Sequence, residues 1–208
     1  MRKKIYALLG IIGWLACCCF CVYRIALTKP DYEDIKITPT PATNIEIPKE
    51  TVEVVNEIKE EFGEAETVTL TDVVDGDTIK VIDANGNLIK VRLIGIDTPE
   101  SVHVDESKNT EYGNIASDYT KMILSDFIGK NVYLTYDEEK TDKYGRTLAY
   151  VYLAKPSINS MLNYMIIANG YAKAMTIKPN TMFSELFTEA EQVAKDNQLG
   201  LWAWAYDW

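Results

Sequence analysis

Beyond residue 21 the chain has no cysteine: Cys17, Cys18, Cys19 and Cys21 all lie in one apolar stretch near its start. The remainder therefore carries neither a disulfide framework nor a cysteine-based metal site, and such a domain can work in any redox compartment. Histidine is almost as scarce. The single one, His103, follows Thr98-Pro99-Glu100 in a loop and reads as an exposed residue with no assigned role. Positive charge is also in deficit, with 21 Lys and Arg against 31 Asp and Glu for a net charge of -10. That balance argues against a general nucleic-acid coat protein, whose footprint is a basic surface, but leaves room for a small, locally positive site. No internal repeat is visible. The 208 residues, 47% of them hydrophobic, suffice for one globular domain of ordinary size with appendages.

What is present begins with Arg2-Lys3-Lys4 ahead of an uninterrupted apolar run from Ile5 to Tyr23, long enough to cross a bilayer as a helix. Positive charge before the run and acids soon after it favour a cytoplasmic N-terminus with the rest outside, a contrast softened by Arg24 and Lys29. Residues 1–29 are thus expected to be a membrane anchor or signal segment, with an uncleaved anchor preferred. Its cysteines read as small apolar residues of a membrane helix rather than a lipidation site. Residues 30–66 turn to acids, Thr and Pro around Thr38-Pro39-Thr40-Pro41 and are expected to be a linker. Residues 67–208 remain for one domain, membrane-tethered outside the cell or secreted.

Within that domain Val73, Val74, Ile79, Val81 and Ile82, then Leu88, Ile89, Val91, Leu93, Ile94 and Ile96, form β-branched-rich strands around an Asn85-Gly86 hairpin turn. Asp75 and Asp77 straddle Gly76, where a bend or bulge would let both carboxylates face one side, a repulsive arrangement unless a cation joins them. Asp97 and Glu100 flank Thr98-Pro99, whose proline imposes an extended residue and a turn. Hard oxygen donors of this kind suit calcium or magnesium. Helical spacing follows from Asn114 to Ile128, strands over 132–136 and 148–153, and helices over 159–169 and 183–197, the last with Leu186, Phe187, Ala190 and Val193 on one face. Three strands, a helix, two strands and two helices suggest an α+β, mainly β, fold: a small five-stranded barrel of the OB type with three helices, since closure removes exposed edges.

Four fragments in this order, Asp75-Gly76-Asp77-Thr78, Arg92-Leu93-Ile94-Gly95-Ile96-Asp97-Thr98-Pro99-Glu100, Thr141-Asp142-Lys143-Tyr144-Gly145-Arg146 and Gly200-Leu201-Trp202, closely resemble the staphylococcal nuclease (thermonuclease) family from about Thr67 to Trp202. The resemblance implies an OB-fold nuclease dependent on Ca2+. It would hydrolyse DNA or RNA on the 5'-oxygen side of the phosphodiester and leave 3'-phosphate ends, acting as a monomer. It further implies Asp77 and Asp97 as calcium ligands with the Thr98 carbonyl, and Asp75 behind them. Glu100 would orient and deprotonate the attacking water, Arg92 and Arg146 would grip the phosphate, and Lys143 and Tyr144 would hold a terminal phosphate. These roles agree with the chemistry of the residue types, since guanidinium groups bind phosphoryl oxygens bidentately and lysine lacks that fork.

The chain also departs from the family pattern. Met175 and Ile177 stand where the best-known member has tyrosines lining the nucleotide pocket, which predicts weaker base stacking. The loop from Ser101 to Glu111 is acidic rather than lysine-rich, which lowers long-range attraction for nucleic acid. Lys178-Pro179 keeps a pair whose peptide bond can be cis in the family. The terminal Trp202, Trp204, Tyr206 and Trp208 are expected to pack the tail on the barrel. A non-catalytic OB-fold binding module is the alternative function, although it gives little reason for Asp77, Arg92, Asp97, Glu100 and Arg146 to occur together.

Overall fold

The computed structural model describes residues 65–101 and 110–204. The expected anchor and nearly all of the linker lie outside these residues, as do His103 and the side chains of Trp204, Tyr206 and Trp208. Among the described residues no helix is long and apolar enough to cross a membrane.

Strands β1 (Glu66–Asp75), β2 (Thr78–Ile82), β3 (Leu88–Leu93), β5 (Asn131–Thr135) and β6 (Thr147–Tyr152) close into a barrel in the order β1-β2-β3-β6-β5, with β5 returning to β1. All pairings are antiparallel except β3 with β6. Period-two alternation sends Ile79, Val81, Val91, Leu93, Val132 and Leu134 inward, where they are buried. Two residues each from β4 (Ile96–Asp97) and β7 (Lys173–Ala174) form a separate ribbon that the apolar pattern does not reveal. Ile96 therefore belongs to a new strand and not to the continuation of β3.

In β1 the buried positions are Val68 and Leu70, then Val73 and Asp75, a change of phase that coincides with a register shift against β2 between Leu70 and Asp72. Without that bulge Asp75 would fall on the outward phase; with it, the carboxylate joins the buried one.

Helix α1 (Glu111–Leu124) ends in a 3-10 turn at Ser125–Phe127, earlier than a helix running to Ile128. Its N-cap is Thr110, whose hydroxyl accepts from Gly113 N at 3.0 Å. Helix α2 (Leu162–Ala168) is shorter than the apolar spacing over 159–169, because Met161 is extended and separates it from a 3-10 turn at Ile158–Ser160. Helix α3 (Ser184–Asp196) buries Leu186, Phe187, Ala190 and Ala194, whereas Val193 is exposed. In the tail Leu201 is fully buried and Trp202 lies over Lys195 and Lys173, so this part packs on the domain as expected.

Candidate active site

The loop between β1 and β2, the end of β3, and the segment through β4 to Ser101 meet at one mouth of the barrel. Arg92 pairs with Thr78 across β2 and β3 and lies on the outward phase of its strand, yet it is only 9% exposed. Its Nη1 donates to the carbonyls of Leu93 and Ile96, both at 2.9 Å. Nη2 faces Asp77 Oδ2 at 3.1 Å and Asp97 Oδ1 at 3.4 Å. One buried guanidinium thus draws together two carboxylates twenty residues apart, which is why neither strand alone could have defined the site.

Asp77 is held on both oxygens. Thr78 Oγ1 donates to Oδ1 at 2.9 Å, while Thr98 donates to Oδ2 through Oγ1 at 3.0 Å and through its amide at 3.4 Å. Asp97 is half-exposed, and burial raises its carboxyl above the ordinary aspartate range, with Asp77 adding to the rise and Arg92 and Lys173 opposing it. Asp75 takes a donor from the far end of the same segment, 98–101, that holds Asp77. It does not share a partner with Asp77; it accepts from Gly76 N at 2.7 Å and Ser101 Oγ at 2.6 Å, because Gly76 sits in the tight turn itself and the two side chains leave it toward different neighbours.

The turn is pinned from below and above. Thr120, wholly buried in α1, donates to the Gly76 carbonyl at 2.8 Å, and a Cβ on Gly76 would stand 2.8 Å from Thr98 Oγ1. Glu100 is exposed, and its carbonyl accepts from Thr110 N at 2.9 Å. A Cβ on Gly113 would be 2.0 Å from that same carbonyl, so glycine there is what lets α1 lie against the Glu100 backbone.

The second arginine comes from the β5–β6 connection. Asp142 Oδ1 accepts from Tyr144 N and Arg146 N, each at 2.9 Å, and Oδ2 from Arg146 Nε at 2.7 Å. Although burial opposes it, this set of donors holds the Asp142 carboxyl below its ordinary value. Tyr144 is 72% exposed, with Lys143 and Arg146 near its ring. A cavity of about 410 Å3 joins the two arginines: Arg92 and Ile96 line one side, and Asp142, Lys143, Tyr144 and Arg146 another. Met175 and Ile177 line it too, so the two departures from the tyrosine pattern leave aliphatic walls. The Lys178-Pro179 bond beside them is cis, as the resemblance allows.

The structure therefore brings Asp77, Arg92, Asp97 and Thr98 into direct contact and sets Arg146, Lys143 and Tyr144 around the cavity that Arg92 enters. Asp142 and Thr120 carry positioning tasks to which sequence reading gave no role. An aspartate opening a Lys-Tyr-Gly turn is an Asx signal for the first, and a threonine four residues after Ala116 on the buried face of α1 is a cue to the second. Regarding a metal, no three His, Cys, Asp or Glu side chains gather into a metal-holding group among the described residues. Two carboxylates do converge, and their hard oxygens suit a cation that takes its remaining ligands from carbonyl and water oxygen.

Comparison with known proteins agrees with this geometry. A family model described as staphylococcal nuclease homologue matches residues 90–204. A thermonuclease of Staphylococcus intermedius is 42% identical over 130 residues, covering 62% of this chain and 72% of that protein. A thermonuclease of Staphylococcus hyicus is 37% identical over 138 residues, covering 66% and 76%. Endonuclease YncB of Bacillus subtilis is 38% identical over 138 residues, covering 65% and 61%. Since the family model spans more than half of the 208 residues, and each thermonuclease is matched over more than seven-tenths of its own length, this chain belongs to the family of staphylococcal nuclease homologues.

Proposed function

We propose that the chain is a calcium-dependent nuclease that hydrolyses phosphodiester bonds of DNA or RNA on the 5'-oxygen side and leaves 3'-phosphate ends. The observation that carries this reading is the lining of one cavity by Arg92 and Arg146, with the Asp77 and Asp97 carboxylates against Arg92. The names of the thermonuclease and endonuclease relatives support it.

In this reading the two guanidinium groups receive the phosphoryl oxygens. Arg146 offers Nη1 and Nη2 as a fork, Arg92 offers Nε and the Nη2 that Asp77 and Asp97 would yield to Ca2+, and charge that grows on those oxygens in the transition state meets donors held nearby. Glu100, exposed at the end of the Asp97-Thr98-Pro99 segment, takes the proton of the attacking water. Lys143 and Tyr144 at the cavity rim bind a neighbouring phosphate. Asp77, Asp97 and the Thr98 carbonyl would hold Ca2+, which when bound supplies Lewis-acid polarisation of a phosphate oxygen. The aliphatic Met175 and Ile177 hold the base by contact rather than by stacking.

The catalytic domain, residues 67–208, works as a monomer outside the cytoplasmic membrane, tethered by residues 1–29 through the linker at 30–66. The basic start and apolar run support that topology. Digestion of single- and double-stranded DNA and RNA by the full chain, with calcium or with chelator, tests the activity. Cleavage that requires calcium and yields 3'-phosphate ends is expected. Cleavage indifferent to chelator would remove the metal assignment, and no cleavage of any substrate would leave a binding module.

A further inference from the structure

We propose that Asn180 is a positioning residue: its amide clamps the two walls of the cavity together and so sets Arg146 at the distance from Arg92 that one phosphate requires. This rests on the nuclease reading above. Asn180 is 6% exposed. Its Oδ1 accepts from Glu139 N, and its Nδ2 donates to Glu139 O, both at 2.8 Å. Side chain and backbone thus form a reciprocal pair like a rung of an antiparallel ladder, between segments 41 residues apart. A second tie lies next to it, where Asp137 Oδ2 accepts from Met182 N at 3.1 Å and from Tyr150 hydroxyl at 2.9 Å.

Each end of the segment that carries Asn180 is attached to a different arginine's surroundings. At its start Met175 N donates to the carbonyl of Gly95 at 2.9 Å, between the Leu93 and Ile96 carbonyls on which Arg92 Nη1 rests. At its end Asn180 grips Glu139, from which the chain runs directly into the turn bearing Arg146. That turn is stiff on its own account. Leu148 N donates to Lys140 O at 2.9 Å, Asp142 N to Arg146 O at 3.0 Å, and the Asp142 carboxylate takes three further donors. A stiff turn moves as a unit, so fixing it at Glu139 fixes the guanidinium at its far side. The segment from 175 to 180 is therefore a strut between the two phosphate-gripping groups, and Asn180 is its joint. Glycine and serine would leave Glu139 N and O without these partners, and glutamine would overreach the pair by one methylene.

The test measures kcat and KM of the full chain on single-stranded DNA with calcium for the parent, Asn180→Ala, Arg146→Ala and the double variant, with amide hydrogen exchange on the parent and Asn180→Ala. Misplacement of a reacting group by about 1 Å costs up to roughly a hundredfold, so kcat of Asn180→Ala is expected to fall by about ten- to a hundredfold, with KM changed far less. In the Arg146→Ala background the same substitution is expected to cost less than about twofold, because the group it positions is gone. The amide of Glu139, which loses its acceptor, should exchange faster, while those of Arg146 and Leu148 inside the stiff turn and those of β2 and β3 keep their protection. Equal losses with and without Arg146, or a Glu139 amide as protected as in the parent, would overturn the proposal. If Asn180→Ala does not fold, Asn180→Asp takes its place: it keeps volume and the acceptor for Glu139 N but sets an oxygen against the Glu139 carbonyl. If the parent cleaves neither DNA nor RNA, the nuclease reading has failed, and the exchange of the Glu139 amide decides the clamp by itself.

Discussion

The two arginines that face one cavity are held in opposite ways. Arg92 rises from a barrel strand, is 9% exposed, and spends Nη1 on two backbone carbonyls and Nη2 on two carboxylates. Arg146 leaves a surface turn, with one-third of its side chain exposed and Asp142 as its ion-pair partner. A guanidinium fixed by the fold costs little to organise when substrate arrives, because its rotamers were settled during folding. One held by a stiff turn through Nε alone keeps Nη1 and Nη2 for what enters. The difference also means that damage at the two sites should look different in a stability measurement even where it looks alike in turnover.

The sharpest way to break the comparison is therefore to measure both quantities on matched variants. Arg92→Lys and Arg146→Lys keep the charge and lose the fork, and turnover of each should fall on the order of a hundred- to a thousandfold, the usual loss when a preorganised donor to a developing oxyanion goes. Urea unfolding should separate Arg92→Met from Arg146→Met. Removing Arg92 leaves the buried Asp77 uncompensated and should cost about 3 kcal/mol. Removing Arg146 dissolves a part-exposed pair and should cost less than about 1 kcal/mol. Equal losses of stability would mean that Arg92 is no more built into the fold than Arg146.

Next in size is the acid pair. Asp77→Ala and Asp97→Ala should each weaken calcium binding, read by titration calorimetry, together with activity, since a site with two carboxylates has no spare anionic ligand. A variant that binds calcium as tightly as the parent would move the site elsewhere.

A smaller effect is expected from Asp142→Asn, which weakens the pair with Arg146 and leaves the barrel untouched. The folded carboxyl titrates below its ordinary value, so its stabilising contribution is complete above the unfolded aspartate value and is lost as pH falls through the folded one. The parent should thus be more stable than the variant near neutral pH, and the gap should close in acid below about pH 4. A gap that widens in acid would reverse the sign of the shift. Least of all, Tyr144→Ala should raise KM by a few-fold and leave kcat near the parent, because an exposed ring at the rim contributes to binding alone.

The topology was legible because its information is local. β-branched alternation, an Asn85-Gly86 turn and helical spacing name the elements, and five strands with a helix after the third leave few ways to close a barrel. Lengths were read less well where a single residue breaks the pattern: extended Met161 cuts α2 from its preceding turn, and the outward Val193 follows from a face centred on Ala190 and Ala194. The residue types of the site were legible for the same local reason, as were the two aliphatic replacements at Met175 and Ile177.

What sequence by itself determined is which groups this protein has to work with: acids at strand ends, two arginines, no cysteine beyond residue 21 and a single histidine. The tertiary structure alone decided which of them meet. Asp75 and Asp77, two residues apart, go to different partners, whereas Asp77 and Asp97, twenty apart, converge on one guanidinium. The physical reason is that a side chain's partner depends on backbone direction and strand register. A one-residue bulge in β1, a glycine against Thr98 and a glycine against the Glu100 carbonyl fix those only when the barrel closes.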